Sequence, residues 1–238
     1  MNIRVAVLKF PGSNCDLDVV YVLRNVIGVD ARLVWHKEFN SSDWDAVILP
    51  GGFSYGDYLR AGIIAAHSPA MKYVKEMARE GKPVLGICNG FQILVEAGLL
   101  PGALLPNDNL LFICRWVNVR VETNRTIFTR IIKKGSVLRM PIAHKEGRYY
   151  IDPKDLRELE ENDQVVFRYS TENGEISDEA NPNGSISNIA GITNLEGNVV
   201  GLMPHPERAS ERILSPFGTD DGKLLFLSMV ETIKRGAL

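Results

Sequence analysis

Hydrophobic positions in this chain come in short bursts divided by polar stretches, and the bursts differ in kind along its length. The run at 3–10 (IRVAVLKF) is apolar except for Arg4 and Lys9 and stops at Pro11-Gly12, which predicts a buried strand ending in a turn. Ser13 or Asn14 is placed to cap a helix over 16–27. Further strands are predicted at 31–36 (ARLVWH), 45–52 (DAVILPGG) and 83–88 (PVLGIC). Helices follow, one reaching about position 80 with a break near Ser68-Pro69, the other over 90–98. Strands that alternate with helices predict a mostly parallel sheet covered on both faces.

The middle of the chain changes period. Residues 113–122 (ICRWVNVRVE) alternate apolar and polar, as a half-buried strand does, and more strands are expected at 137–142, 164–169 and 185–193. These predict an antiparallel extension, with hairpin turns at 172–174 and 181–184. A charged surface helix is expected over 152–162, a core strand over 198–205 and a closing helix over 222–234. The architecture expected is a three-layer α/β/α fold, its mostly parallel central sheet extended by antiparallel strands, with 1–238 as a single domain.

Composition narrows the function. A net charge of −2 with acids and bases interspersed gives no basic stripe, so nucleic acid is not an expected partner. No apolar run approaches the ~18 residues of a membrane span, and the first apolar run is too short for a signal peptide, so the expected setting is cytoplasmic. Three cysteines without CxxC spacing predict neither a disulfide framework nor a zinc site, and no metal is expected. No Walker A loop and no GxGxxG occurs; Gly218–Lys223 is one residue short of a phosphate loop, carries Asp220 and Asp221, and reads as a helix cap.

The strongest chemical signal is Gly86-Ile87-Cys88-Asn89-Gly90, which follows a strand and opens a helix. This is the nucleophile-elbow pattern in its expected context: a strained turn, with small neighbours, lifts the sulfur above the sheet at a helix N-terminus, where negative charge is favoured. A packed cysteine at a strand end is the plain alternative. Met203-Pro-His-Pro-Glu207 supplies the partners. Prolines keep the backbone extended, so His205 and Glu207, two apart, project to one side, and the carboxylate can hold the imidazole toward a thiol. Alone this segment is a surface turn; with the elbow it completes a Cys–His–Glu triad at the carboxyl ends of strands. Pro50-Gly-Gly-Phe53 offers backbone N–H groups that, with Asn89, can form an oxyanion hole: Gly52, Phe53 and Asn89. Cys15 has no histidine tied to it in sequence and reads as structural, Cys114 as packed in a strand, and His36 and His67 as structural or surface groups.

The elbow cysteine, the Gly-Gly loop and the late His-Pro-Glu, in that order, resemble the class I glutamine amidotransferases, whose domain is flavodoxin-like; Gln92 fits that family's glutamine-binding position. Gly52-Phe-Ser-Tyr-Gly-Asp-Tyr-Leu-Arg-Ala-Gly62, Pro11-Gly-Ser-Asn-Cys-Asp16, Cys114-Arg-Trp-Val-Asn118, Pro141-Ile-Ala-His144 and Asn181-Pro-Asn-Gly-Ser185 are similar to the glutaminase subunits of phosphoribosylformylglycinamidine synthase. Lys145 departs from that pattern, standing where many members have glycine. The resemblance implies hydrolysis of L-glutamine, with substrate contacts from Gly51, Gly52, Gln92, Ala143, His144 and Arg115. It implies no cofactor in this chain, a large synthetase partner that uses ATP and magnesium, and a small bridging subunit. Three other readings stay open: a glutaminase serving another acceptor, an elbow-cysteine peptidase or deglycase, and a non-catalytic glutamine sensor.

Overall fold

The apolar bursts become the strands of one nine-stranded sheet. In the computed structural model, which describes residues 3–236, the parallel half consists of β1 (Arg4–Lys9), β2 (Asp30–Trp35), β3 (Ala46–Leu49), β4 (Val84–Ile87) and β11 (Val199–Leu202). Every residue of β3, β4 and β11 is buried, as expected of central strands covered on both faces. The antiparallel half consists of β6 (Ile113–Val121), β7 (Val137–His144), β9 (Val165–Ser170) and β10 (Ile189–Thr193). The order across the sheet is β2-β1-β3-β4-β11-β10-β9-β6-β7. β5 (Ala103–Leu105) and β8 (Arg148–Tyr150) form a separate two-stranded ribbon. Three residues each are too few for a period to show, which is why the hydrophobic pattern missed them.

Helices flank the sheet. α1 (Asp16–Tyr21) packs on β1 and β2, and α4 (Asn89–Glu96) lies on β3, β4 and β11. α2 (Ile63–Ala66) and α3 (Ala70–Arg79) flank the expected break at Ser68-Pro69. α5 (Pro153–Glu161) is capped by Asp152, whose carboxylate accepts from the N–H of Lys154 at 3.0 Å. α6 (Lys223–Lys234) closes the chain's path against the first helical segment.

Four expectations need correction. The first helix is not capped by Ser13 or Asn14. Cys15 occupies the cap position with no side-chain cap bond, because Ser13 and Asn14 are held by an antiparallel bridge to the Gly51-Gly52 loop. That helix also widens into a π-helical segment, Val22–Ile27, before Gly28 ends it in the left-handed conformation. The turns at 172–174 and 181–184 are not hairpin turns. β9 and β10 do pair antiparallel, but the chain between them is one long connection that folds back over the rest of the molecule. Cys114 is exposed rather than packed, since burial in β6 alternates only from Val117 onward.

Sheet order places β7 at the far edge, three strands from β11. Yet the backbone N–H of His205, just beyond β11, donates to the Pro141 carbonyl in β7 at 2.8 Å. The antiparallel half therefore curls back over the carboxyl ends of the parallel strands, as the accumulating twist of a large sheet allows.

Candidate active site

β4 and β11 run parallel in register, Leu202 opposite Ile87, so the residues that follow them emerge side by side. Cys88 follows β4. Its backbone has φ 50° and ψ −105°, a left-handed conformation that a non-glycine residue adopts at a cost of about 1–3 kcal/mol. The elbow is held by the Cys88 N–H donating to Leu202 O at 2.8 Å, and by the N–H groups of Phe91 and Gln92 donating to Cys88 O. The flanking glycines are steric requirements. A Cβ at Gly90 would lie 1.9 Å from the Leu49 carbonyl oxygen, and one at Gly86 would lie 2.6 Å from that of Gly90.

His205 and Glu207 sit at the start of a 3₁₀ turn, Pro206–Ala209, and both are buried. The imidazole Nδ1–H donates to Glu207 Oε1 at 2.6 Å. Nε2 is then the ring nitrogen that can exchange a proton with a thiol. Burial opposes a charged imidazole. The Glu207 carboxylate and then the Cys88 and Cys15 sulfurs outweigh it, and His205 holds its proton well above the ordinary histidine range. Gly222 packs beneath this turn; a Cβ there would lie 2.2 Å from the Pro206 carbonyl oxygen. The Asp-Gly before the last helix thus supports the His-Pro-Glu turn, a role beyond the helix cap read from its pattern.

Cys15 belongs to this site, contrary to the expectation that no histidine is tied to it. Its sulfur, a His205 ring nitrogen and a Glu207 carboxylate oxygen lie within 4.8 Å of one another. Burial pushes the Cys15 thiol up, against the lowering effect of its hydrogen bond to His205. Thiol, imidazole and carboxylate are donors that a zinc ion would accept. Arg208 Nη2 stands 3.2 Å from the sulfur, however, and its positive charge opposes a metal ion there. No spacing rule in the sequence links positions 15 and 205.

Gly51 and Gly52 have separate tasks. Gly51 O accepts from the N–H groups of Asn14 and Cys15, and a Cβ on Gly51 would lie 2.7 Å from His205 Cε1. Gly51 thus gives the catalytic ring room and does not line the cavity at Cys88. Gly52 has φ 140°, and a Cβ there would lie 2.5 Å from Asn14 N. Phe53 N–H donates to Gly12 O at 2.9 Å, which takes Phe53 out of the expected oxyanion hole. The pair that remains is Gly52 N–H with Asn89 N–H, the latter in the first turn of α4, where backbone donors have no intrahelical acceptor.

A cavity of about 250 Å³ opens at Cys88 and is lined also by Gly52, Gln92, Ala143 and His144. The Cys88 thiol donates to Ala143 O at 3.7 Å, a contact made by the curl of β7. Gln92 Nε2 donates to Glu146 O at 2.6 Å, and Gln92 Oε1 accepts from Asn89 Nδ2 at 2.8 Å, so Gln92 braces the cavity wall. Arg115 is not there. It lies in a separate hollow of about 290 Å³ with Trp116 and Glu179. Of two larger hollows, of about 720 and 740 Å³, neither is lined by the elbow thiol, though the second is lined by Pro141, Glu207 and Arg208.

One supporting residue was missed in the sequence. Asn107 is fully buried and fastens the 144–147 wall: its Nδ2 donates to Leu111 O and His144 O, and its Oδ1 accepts from Gly147 N and bonds His144 Nδ1. Asn183 and Ser185 hold Gly147 O from the far side, which gives the Asn181–Ser185 motif its structural task. Asn107 sits in a polar loop next to Pro106, and nothing in that composition sets it apart.

An elbow cysteine, a buried His–Glu pair on the neighbouring strand end and a glycine pair with a free N–H define a cysteine-dependent amidotransferase of the class I type. The model of the CobB/CobQ-like glutamine amidotransferase domain matches residues 2–230. The chain is 60% identical to phosphoribosylformylglycinamidine synthase subunit PurQ of Methanosarcina acetivorans over 97% of this chain and 98% of that one. It is 57% identical to the PurQ subunit of Aquifex aeolicus, over 95% and 99%. Among solved structures, the PurLQS structure from Thermotoga maritima has a chain with a TM-score of 0.84 and 44% identity, covering 98% of this chain and 100% of that chain. The chain belongs to the glutamine amidotransferases and, within them, to the family of phosphoribosylformylglycinamidine synthase PurQ subunits.

Proposed function

We propose that this chain is the glutaminase subunit of phosphoribosylformylglycinamidine synthase. It hydrolyses L-glutamine to L-glutamate and ammonia through a thioester on Cys88. The ammonia serves the ATP-dependent conversion of formylglycinamide ribonucleotide to formylglycinamidine ribonucleotide in purine biosynthesis. The observation that carries this reading is full-length identity of 53–60% to PurQ subunits combined with a Cys88–His205–Glu207 arrangement at the carboxyl ends of two neighbouring central strands.

In the proposed cycle the proton of Cys88 already resides on His205 Nε2, and the sulfur attacks the side-chain amide carbon of glutamine. The carbonyl electron pair moves to oxygen, where the N–H groups of Gly52 and Asn89 receive it. Collapse of this intermediate breaks the C–N bond while His205 returns the proton to nitrogen, and ammonia departs. Water then attacks the thioester, His205 takes its proton, and the sulfur leaves with its electron pair to give glutamate. Glu207 stays ionised and holds the ring.

The partners proposed are a large synthetase subunit, which uses ATP and magnesium, and a small bridging subunit. The Thermotoga maritima structure, which is of PurLQS, supports such an assembly. The chain itself is read as needing no cofactor and as working in the cytoplasm. No described helix is long and apolar enough to cross a membrane.

The test is reconstitution with the host's synthetase subunits, ATP, magnesium and formylglycinamide ribonucleotide. Product from glutamine should require this chain, and product from ammonium should not. With Cys88→Ala, the glutamine-dependent rate should vanish while the ammonium-dependent rate persists. Glutamine hydrolysis by that variant would overturn the nucleophile assignment. Hydrolysis without product in the wild-type mixture would overturn the acceptor.

A further inference from the structure

The oxyanion donor Gly52 is held between two segments, the turn at 10–13 and the loop at 53–59. Ser13 forms an isolated bridge with Gly52, and Phe53 N–H donates to Gly12 O at 2.9 Å. The loop is strained. Tyr55, Asp57 and Leu59 have φ values of 54°, 54° and 69°, so three non-glycine residues adopt the left-handed conformation within five positions. Such strain persists only where the surroundings enforce it. Tyr55 N–H donates to Pro11 O at 2.7 Å and Ser54 N–H to Asn89 Oδ1 at 3.2 Å. Among the described residues, the one side chain of this loop that makes a hydrogen bond is Tyr55, whose hydroxyl lies 3.3 Å from His36 Nε2.

His36 is a buried imidazole that the cycle above leaves unused. It follows β2, and its N–H donates to Lys9 O at 3.0 Å, at the end of β1. Its ring stacks on Phe10, with centroids 5.4 Å apart and planes inclined by 27°. Phe10 opens the turn that bridges to Gly52: its carbonyl accepts from Ser13 N–H at 3.1 Å and its N–H donates to Ser13 Oγ at 3.0 Å. On the far side of the ring, His36 Nδ1 lies 2.6 Å from the buried Ser68 Oγ, at the break between α2 and α3. Ser68 is fixed by its main chain, its N–H donating to Ala65 O and its carbonyl accepting from Met71 N–H. One imidazole therefore stands at the base of both segments that flank Gly52. Its two nitrogens point apart and bridge two hydroxyls, each of which can donate or accept, so either tautomer satisfies the chain. Burial, and then the positive charge of Lys37, hold His36 below the ordinary histidine range, which keeps the ring neutral near pH 7.

Resting on the glutaminase reading, we propose that His36 is a positioning residue for the reaction: anchored by Ser68, it holds the 53–59 loop through Tyr55 and the 10–13 turn through Phe10, and so keeps the Gly52 N–H aimed at the oxyanion. It acts at a distance, since it does not line the cavity at Cys88, which Gly52 and Phe53 do. Freeing the Tyr55 hydroxyl lets the strained loop relax, and Gly52, three residues upstream, moves with it. A displaced N–H matters most where negative charge develops on the substrate oxygen, in the transition state rather than in the bound amide.

The experiment measures glutamate release in the reconstituted complex. A second readout is the rate at which iodoacetamide alkylates Cys88, followed on the Cys88 peptide by mass spectrometry; alkylation needs the thiolate and no oxyanion donor. Tyr55→Phe removes one hydroxyl and keeps the ring. It should lower kcat about tenfold, part of the ~10²–10³ lost with an oxyanion donor outright, and leave KM within about twofold. His36→Gln should lower kcat at least as far, and the double variant no further than His36→Gln, because both break one link. Cys88 alkylation should keep the wild-type rate in all three. Wild-type kcat in Tyr55→Phe overturns the proposal, as do losses that multiply in the double variant. A fall in alkylation equal to the fall in kcat also overturns it, in favour of a general loosening of the fold. If His36→Gln does not fold, Tyr55→Phe decides by the same two readouts. Absence of glutamate release by wild type overturns the glutaminase reading, and the proposal with it.

Discussion

The backbone N–H of His205 donates to the carbonyl of Pro141 at 2.8 Å, joining two strands that the sheet order separates by three others. Two residues further along β7, Ala143 O accepts from the Cys88 thiol at 3.7 Å. One strand therefore touches both His205 and Cys88, and the geometry of the site depends on a long-range curl of the sheet as well as on the local elbow.

The triad members should contribute unequally. His205 carries the proton, whereas Glu207 orients it through the 2.6 Å bond to Nδ1. His205→Ala should reduce glutaminase kcat about two orders of magnitude more than Glu207→Ala does, as in other triads where the orienting carboxylate is the least costly member to lose. Steady-state glutamate release decides it, and equal losses would remove the distinction in role.

Gly222 offers a test of support from outside the triad. Its Cβ position lies 2.2 Å from the Pro206 carbonyl oxygen, so Gly222→Ala must displace the turn carrying His205 and Glu207. A shift approaching 1 Å can cost about a hundredfold in rate. The expected outcome is a fall of that order in kcat with the far-ultraviolet circular dichroism spectrum retained. Unchanged kcat would show that the turn accommodates the methyl group.

His144 gives stability a pH dependence of definite sign. Burial, then the nearby charge of His205, push its pKa down to about 3 from the ordinary 6.5. The folded state thus holds His144 neutral where the unfolded chain protonates it. Its contribution is intact above pH 6.5 and declines as pH falls toward 3. Each pH unit in that window costs about 1.4 kcal/mol, so wild type should lose roughly 2 kcal/mol more than His144→Gln between pH 6.5 and 5. His205, whose shift has the opposite sign, is present in both proteins and cancels. Urea unfolding at the two pH values measures the difference, and parallel losses would exonerate His144.

Cys15 should tune His205 rather than attack substrate. Its burial keeps it a thiol, and its hydrogen bond is among the influences raising the imidazole. Cys15→Ala should lower the His205 pKa, seen as a downward shift in the titration of its ring-proton resonance, while a glutamine-analogue alkylator still labels Cys88. Labelling of Cys15 instead would reverse the two assignments.

Much of this was legible in the residues themselves. The strands around the elbow, the elbow and the His-Pro-Glu turn each follow from a few neighbouring side chains: an apolar run, glycines where a Cβ would strike backbone, prolines that hold the chain extended. Such features are local, and the sequence states local constraints directly. Phe53 was misjudged as an oxyanion donor because its N–H is spent on Gly12, forty-one positions away. Arg115, expected at the substrate, lines a separate hollow instead, which no neighbouring residue in the sequence announces.

By itself, then, the sequence determined the elements, the elbow at Cys88 and the pairing of His205 with Glu207. Tertiary structure alone decided which distant segments close around them: the return of β7, the fastening of its turn by Asn107 and the approach of Cys15 to His205. The reason is physical. Turn, cap and strain preferences act over a few residues, whereas strand neighbours and buried contacts result from how the whole sheet twists and packs, which no short pattern encodes.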